Sequence, residues 1–261
     1  SSRRRHTRYI SVTGVQTCAL PISAAPASSA QGPAAVRAAL ADPARDPKLK
    51  ELDASRKPAE VIAFLGLRPG MAVADMFTGS GYWTPLFAKA VGPRGSVTAY
   101  EPEQFYKGDG KTAIDALVAA TPGAILKVFP FERWSGPARA YDTALINLDF
   151  HDLYWTSEKY GIGRSDPRAF TKAMYAAMKP GGVVGVIDHV GPAGDTRALV
   201  DQLHRIDPKV VKADFLAAGF KLEAETKLLA NPADDHSKNV FDPAIRGKTD
   251  RFFYKFRKPR R

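Results

Sequence analysis

The residues with the most chemistry to explain are Asp75, Gly79, Gly81 and Glu101. In ADMFTGSGYWT (residues 74–84) two glycines lie one residue apart, and an aspartate stands four positions before the first. Bare backbone of this kind lets a ligand or a neighbouring segment approach closely. A phosphate loop would close on a Lys-Ser/Thr pair, which is absent. A dinucleotide loop would read G-x-G-x-x-G, whereas Thr84 occupies the third glycine position. A carboxylate at Asp75 would repel a pyrophosphate and suits a ligand carrying positive charge. Glu101, 20 residues past Gly81, is placed to accept from both hydroxyls of a ribose. A cationic ligand with a ribose and no phosphate points to S-adenosylmethionine.

A second group of polar residues follows two later apolar runs: Asn147, Asp149, His151 and Asp152, then Asp188 and His189. Methyl transfer from a sulfonium donor needs alignment and, for an O–H or N–H acceptor, removal of a proton. Asp149, His151 and His189 are the catalytic candidates, the imidazoles because they titrate near neutral pH. The competing reading is that these groups cap helices and tie loops. Tyr154, Trp155 and Tyr160 are read either as an aromatic wall for the acceptor or as core.

These residues must be held by an alternation of strands and helices. Short apolar strands are read at 71–75, 96–101, 124–129, 143–148 and 183–187, with helices at 82–91, 112–120 and 166–178 between them. Asp46-Pro47, Lys57-Pro58, Asp166-Pro167 and Asp207-Pro208 mark helix starts, since proline suits the first helical turn. Strands at 220–229 and 251–256 follow one another without a helix and are expected to pair antiparallel. The whole is an α/β fold with a seven-stranded, mostly parallel sheet, an antiparallel last strand and helices on both faces. In such sheets ligands sit beyond the carboxyl ends of the strands, where both polar groups fall. The connection 230–250 leaves on that side, and Asp234, Asp235, His236 and Asn239 are read as a mobile lid or an acidic surface loop.

The chain has 261 residues, 38 basic and 27 acidic, a formal charge of +11. That excess lies at the ends: residues 23–245 hold 26 basic and 26 acidic residues. A general nucleic-acid surface is therefore not expected. Residues 1–22, which include VTGVQTCALPI, resemble translated sequencing-adapter DNA and are set apart, together with Cys18. Residues 23–45 are rich in Ala, Ser and Pro and are read as a disordered linker. The folded domain is placed at 46–261. Export to the periplasm and a cytoplasmic location are both left open.

With its motifs laid out in order, the chain resembles the class I S-adenosylmethionine-dependent methyltransferases. VADMFTGSGYWT is similar to that family's first motif, Glu101 to its ribose-binding acid, and AAMKPGGVVGVIDH to its helix–turn–fifth-strand signature. HRIDP, NPADDH and VFDPAIRGKTD resemble more narrowly a bacterial group of methyltransferases without an assigned substrate. The resemblance implies a Rossmann-like fold, S-adenosylmethionine as cofactor and a small-molecule acceptor. It places Asp75, Phe77, Gly79, Gly81, Glu101 and Asn147 at the cofactor. It also offers a second role for Asp149, Asp188 and His189, as ligands of a divalent ion, although no metal is assigned. One departure stands out. Phe77 occupies the motif's first glycine position, where a positive φ is expected to be unavailable to phenylalanine, so the loop entry should differ and the ring should cover the methionine end. The alternatives are a nicotinamide-dependent oxidoreductase and a non-catalytic binding protein on the same fold.

Overall fold

The computed structural model describes residues 31–43 and 45–260. The adapter-like segment, Cys18 and the first part of the linker lie outside the described residues.

The strands are β1 (Ala72–Met76), β2 (Ser96–Pro102), β3 (Ala124–Phe129), β4 (Tyr141–Asn147), β5 (Met178–His189), β6 (Lys221–Thr226) and β7 (Arg251–Arg257). They form one sheet in the order β3-β2-β1-β4-β5-β7-β6. β1 to β5 pair in parallel, and β7 lies antiparallel between β5 and β6. The order reverses direction between β1 and β4, which opens a crevice at their carboxyl ends.

Strand periodicity divides the core into two layers. Ala74, Met76, Ala144, Ile146, Val184 and Val186 face one side, with Phe170 and Met174 of α7 (Pro167–Ala177) and Val211 and Phe215 of α9 (Pro208–Ala217). Val73, Leu145, Val183 and Ile187 face the other, with α4 (Pro58–Leu65) and α5 (Trp83–Val91). A sixth helix, α6 (Gly108–Ala119), packs Ile114 and Val118 on Ala99 of β2. The Asp-Pro pairs act as expected: Asp166 accepts from the backbone N–H of Arg168 and Ala169, and Asp207 from that of Lys209.

Three features depart from the sequence reading. The supposed linker contains helix α1 (Gln31–Leu40), whose Val36 is buried against the α4–α5 layer, so ordered packing begins before residue 46. Ala39 and Leu40, partly buried, pack against the same layer and complete the docked face. Between 47 and 56 the chain forms two short helices, α2 (Pro47–Lys50) and α3 (Asp53–Arg56), before Lys57 turns left-handed at φ 45°. A helix absent from the sequence reading, α8 (Thr196–Leu203), starts at Asp195 and stops at His204, itself left-handed at φ 50°. Among the described residues no helix is long and apolar enough to cross a membrane.

Candidate functional site

The glycine loop between β1 and α5 is tied down by acids. Asp75 is buried, and its Oδ2 accepts from the hydroxyls of Thr78 at 3.0 Å and Thr84 at 2.6 Å. Burial pushes its carboxyl up to about 6 against those hydrogen bonds. Asp75 therefore sets the shape of the loop with the oxygen expected to face a ligand. Thr84, at the missing third glycine, supplies one of its two donors. Glu101, buried at the end of β2, accepts from the Gly79 N–H at 2.8 Å through Oε2. Burial lifts it to about 7, with the Gly79 bond opposing and the charge of Asp75 assisting.

The two glycines answer to different constraints. A side chain on Gly81 would meet Leu117 of α6 at 2.9 Å, so its bare backbone serves helix packing. Gly79, at φ 53°, has nothing nearer than the Phe77 carbonyl at 3.8 Å and faces open space. It is the glycine left free for a ligand. Phe77 corrects the sequence expectation, because it adopts φ 54° and the loop keeps the geometry of a glycine. That conformation costs about 1–3 kcal/mol. Burying the ring offsets it: Phe77 packs on Phe129, Phe131 and Phe170 at centroid distances of 5.6, 5.8 and 5.8 Å. The ring thus packs into the aromatic core, and Phe77 also lines the cavity beside the loop.

A cavity of about 150 Å³ lies against this loop, walled by Arg56, Phe77 to Ser80, Trp83 and Asn147 to Asp149. Asn147 ends β4, and the left-handed Leu148 at φ 67° turns the chain into the cavity wall. Arg56 comes from α3 and sits 4.4 Å from the Tyr82 ring centroid. The indole N–H of Trp83 is buried with no partner among the described residues. Asp149 is partly exposed, and its carboxyl is held well above the usual range by burial and then by the charge of Asp152. The cavity wall thus includes Arg56, a donor suited to a carboxylate, and Asp149, an acid suited to an ammonium group. A larger cavity of about 640 Å³ lies at the opposite end of the sheet, around Arg68, Asp142 and Arg257 at the amino ends of the parallel strands.

Beyond Asp149 the ends of β4 and β5 converge on Asp188, which is fully buried. Its Oδ1 lies 2.8 Å from Nδ1 of His151 and accepts from the His189 N–H, while Oδ2 accepts from the His151 N–H. A carboxylate can only accept, so His151 carries its proton on Nδ1 and presents Nε2 to Asp152, 3.2 Å away. Burial opposes charge on His151, but Asp188 and Asp152 together raise it well above the ordinary imidazole range. His189 is lowered well below that range by burial and by His151, and its Nδ1 lies 2.7 Å from the Thr249 hydroxyl. Asp149, Asp188 and His189 do not form a common ligand set, since Asp188 and His189 are occupied within the protein.

The long connection does not behave as a lid at Asp234. Arg205, fully buried, holds both Asp234 oxygens at 2.9 and 3.0 Å and binds the Lys238 and Val190 carbonyls. His236 pairs with Asp250, and Asn239 donates to the Gln202 carbonyl, while Asp235 caps Ser237 at the surface. The aromatic wall is partly real. Tyr154 is tied to Asp214, and both Tyr154 and Trp155 pack against the core, while Trp155 and the unanticipated Phe241 also contact His204 and the exposed Tyr160 lies against Trp155. Arg56, Trp83 and His204 were missed. Arg56 carries no motif; Trp83 and His204 lie inside the motifs VADMFTGSGYWT and HRIDP, but neither was assigned a role, and His204 reaches the site from the end of α8.

No protein-family profile matches the chain. A demethylmenaquinone methyltransferase of Staphylococcus aureus is 26% identical over 191 residues, covering 70% of this chain and 71% of the relative. A SAM-dependent methyltransferase from Aquifex aeolicus superposes with a TM-score of 0.56 at 20% identity, over 82% of this chain and 99% of that one. The 1,6-didemethyltoxoflavin-N1-methyltransferase of Burkholderia thailandensis, solved with its substrate and S-adenosylhomocysteine, gives 0.52 at 18% identity, over 92% and 94%. Nothing in these likenesses favours a nicotinamide enzyme. In strand order and structural likeness alike, the chain has the fold of the class I S-adenosylmethionine-dependent methyltransferases.

Proposed function

We propose that the protein transfers the methyl group of S-adenosylmethionine to a small-molecule acceptor. One observation carries the reading: the cavity at the β1–β4 crevice is matched to a zwitterion. Arg56 and the unpartnered Trp83 N–H suit the carboxylate of the methionine moiety, and Asp149 with the Asn147 side chain suits its ammonium. Glu101 stands beside Gly79 for the ribose hydroxyls. A nicotinamide dinucleotide has no zwitterionic end to satisfy these groups.

We place the acceptor's donor atom among Asp149, His151 and His189, on the side where Trp155, Tyr160 and Phe241 gather. Its lone pair forms the bond to the methyl carbon as the sulfur–carbon bond breaks. The electron pair stays on sulfur, leaving S-adenosylhomocysteine, and the acceptor's proton is taken up at the cluster. The protein's part is alignment and exclusion of water. Asp188 contributes by fixing the ring of His151. The exposed aromatics favour a flat, apolar acceptor.

The test is release of S-adenosylhomocysteine against a panel of phenols, quinols, thiols and heteroaromatic amines. His151→Ala should lower kcat on the accepted compound with S-adenosylmethionine affinity unchanged. Absence of turnover with every acceptor, in a chain that binds the cofactor, would favour the binding-protein alternative.

A further inference from the structure

We infer that His151, Asp152 and His204 form a site for one divalent first-row transition-metal ion, with zinc as its reference ion. Nε2 of His151, Oδ1 of Asp152 and Nδ1 of His204 all lie within 4.8 Å of one another. The carboxylate oxygen is 3.2 Å from the first nitrogen and 3.4 Å from the second. Two ligands held by a tetrahedral ion at about 2.0–2.2 Å are about 3.3–3.6 Å apart, the same spacing.

The three atoms do not satisfy one another. Asp152 Oδ1 and His204 Nδ1 are buried and have no hydrogen-bond partner among the described residues, despite those short separations. Both separations lie within hydrogen-bond distance, yet neither forms a hydrogen bond. A buried carboxylate oxygen and a buried imidazole nitrogen left in this way cost free energy unless something binds them.

The surroundings are those of a metal centre. Asp188 holds Nδ1 of His151 at 2.8 Å, which turns Nε2 outward and raises its basicity as a ligand. His204 reaches the cluster from the left-handed position that ends α8, a conformation a β-carbon-bearing residue adopts at a cost. The three side chains are 4, 16 and 12% exposed, and His204 packs beside Trp155 and Phe241. Two imidazoles and one carboxylate with open positions is a donor set that takes zinc or ferrous iron and disfavours magnesium or calcium.

The existence of the site stands apart from methyl transfer; only its role rests on that reading. There, an ion would supply Lewis acidity to the acceptor's donor atom.

The experiment uses the full chain, stripped with a chelator and titrated with zinc by calorimetry, then with cobalt(II) followed by visible absorption. One ion per chain should bind at micromolar affinity or tighter, and cobalt should give d–d bands. His204→Asn keeps a residue tolerant of the left-handed backbone, and Asp152→Asn is isosteric; each should abolish one-to-one binding. Asp188→Asn, which acts through His151, should weaken it about 10–100-fold. His236→Gln, outside the cluster, should bind as the wild type does. Should a cluster variant fail to fold, proton NMR of the wild type decides instead: cobalt must shift the His151 and His204 imidazole signals and spare His236. Absence of one-to-one binding, or binding indifferent to both Asp152→Asn and His204→Asn, overturns the site. S-adenosylmethionine titrated into the metal-free chain separates the two readings, because cofactor binding there leaves the proposed function standing if the metal fails.

Discussion

The two ends of the crevice are organised in opposite ways. On the cofactor side, everything but Arg56 lies on β1, β2, β4 or the turn and helix just after β1, and the geometry is set by backbone: Gly79, a left-handed Phe77, and an N–H held by Glu101. On the acceptor side the groups come from the segment after β4 with its 3₁₀ turn (His151–Tyr154), from β5, the end of α8 and the 227–250 connection, and are held by side chains converging on Asp188 and Arg205. A backbone-built site tolerates sequence change provided the turn survives. A side-chain-built site depends on each long-range partner, so the second half should be the easier to break.

The largest effect is expected at the anchor of the acceptor side. Asp234→Ala strands the buried Arg205 charge and should cost about 3–5 kcal/mol in urea unfolding. If the connection is a scaffold, the variant that remains folded at low temperature should lose turnover and keep cofactor affinity.

Next comes Phe77→Gly on the cofactor side. It relieves the left-handed strain but empties a ring-sized space among Phe129, Phe131 and Phe170, for a net loss of about 2–4 kcal/mol. A more stable variant would show that the ring does not offset the strain.

Glu101 sharpens the comparison through pH. Folding raises its carboxyl from 4.5 to about 7, so the folded chain binds a proton the unfolded chain has already released between those values. Stability from this group therefore falls as pH rises through that window, and the penalty is fully present above it. Glu101→Gln should be more stable than the wild type at pH 8 by roughly 1–3 kcal/mol and show no such gain at pH 4. The same variant should bind S-adenosylmethionine about 1.5–3 kcal/mol more weakly at pH 8. Thermal melts at the two pH values and a binding titration check both halves.

The smallest effect is expected at the rim. Tyr160→Ala should raise the acceptor's KM by about threefold to tenfold, the worth of one partly exposed aromatic contact of about 1 kcal/mol, with kcat and cofactor affinity unchanged.

This asymmetry also explains what the sequence disclosed. The order of strands, the antiparallel β7 and the acids at Asp75 and Glu101 were legible because each follows from a local pattern: a short apolar run, a turn, a carboxylate at a strand end. Phe77 was misjudged because its backbone cost is local, whereas the aromatic core that offsets it comes from β3, its following loop and α7. α1 was hidden by its composition, with only Val36 and Leu40 among small residues to signal a buried face. Arg56 was invisible for a related reason, since it enters from α3, a four-residue helix placed by tertiary contacts. Trp83 and His204 stood inside quoted motifs, but which of their atoms packing leaves unpartnered is not a local property of the sequence.

The central claim is that the β1–β4 crevice holds the zwitterionic end of S-adenosylmethionine. Calorimetric titration of the full chain with S-adenosylmethionine and, separately, with NAD tests it most directly, alongside Arg56→Ala, which leaves the strands untouched. The account predicts one S-adenosylmethionine per chain, about tenfold or more weaker binding in Arg56→Ala from loss of a charge-assisted hydrogen bond, and no heat with NAD. Binding of NAD in place of S-adenosylmethionine, or S-adenosylmethionine binding indifferent to Arg56, would contradict it.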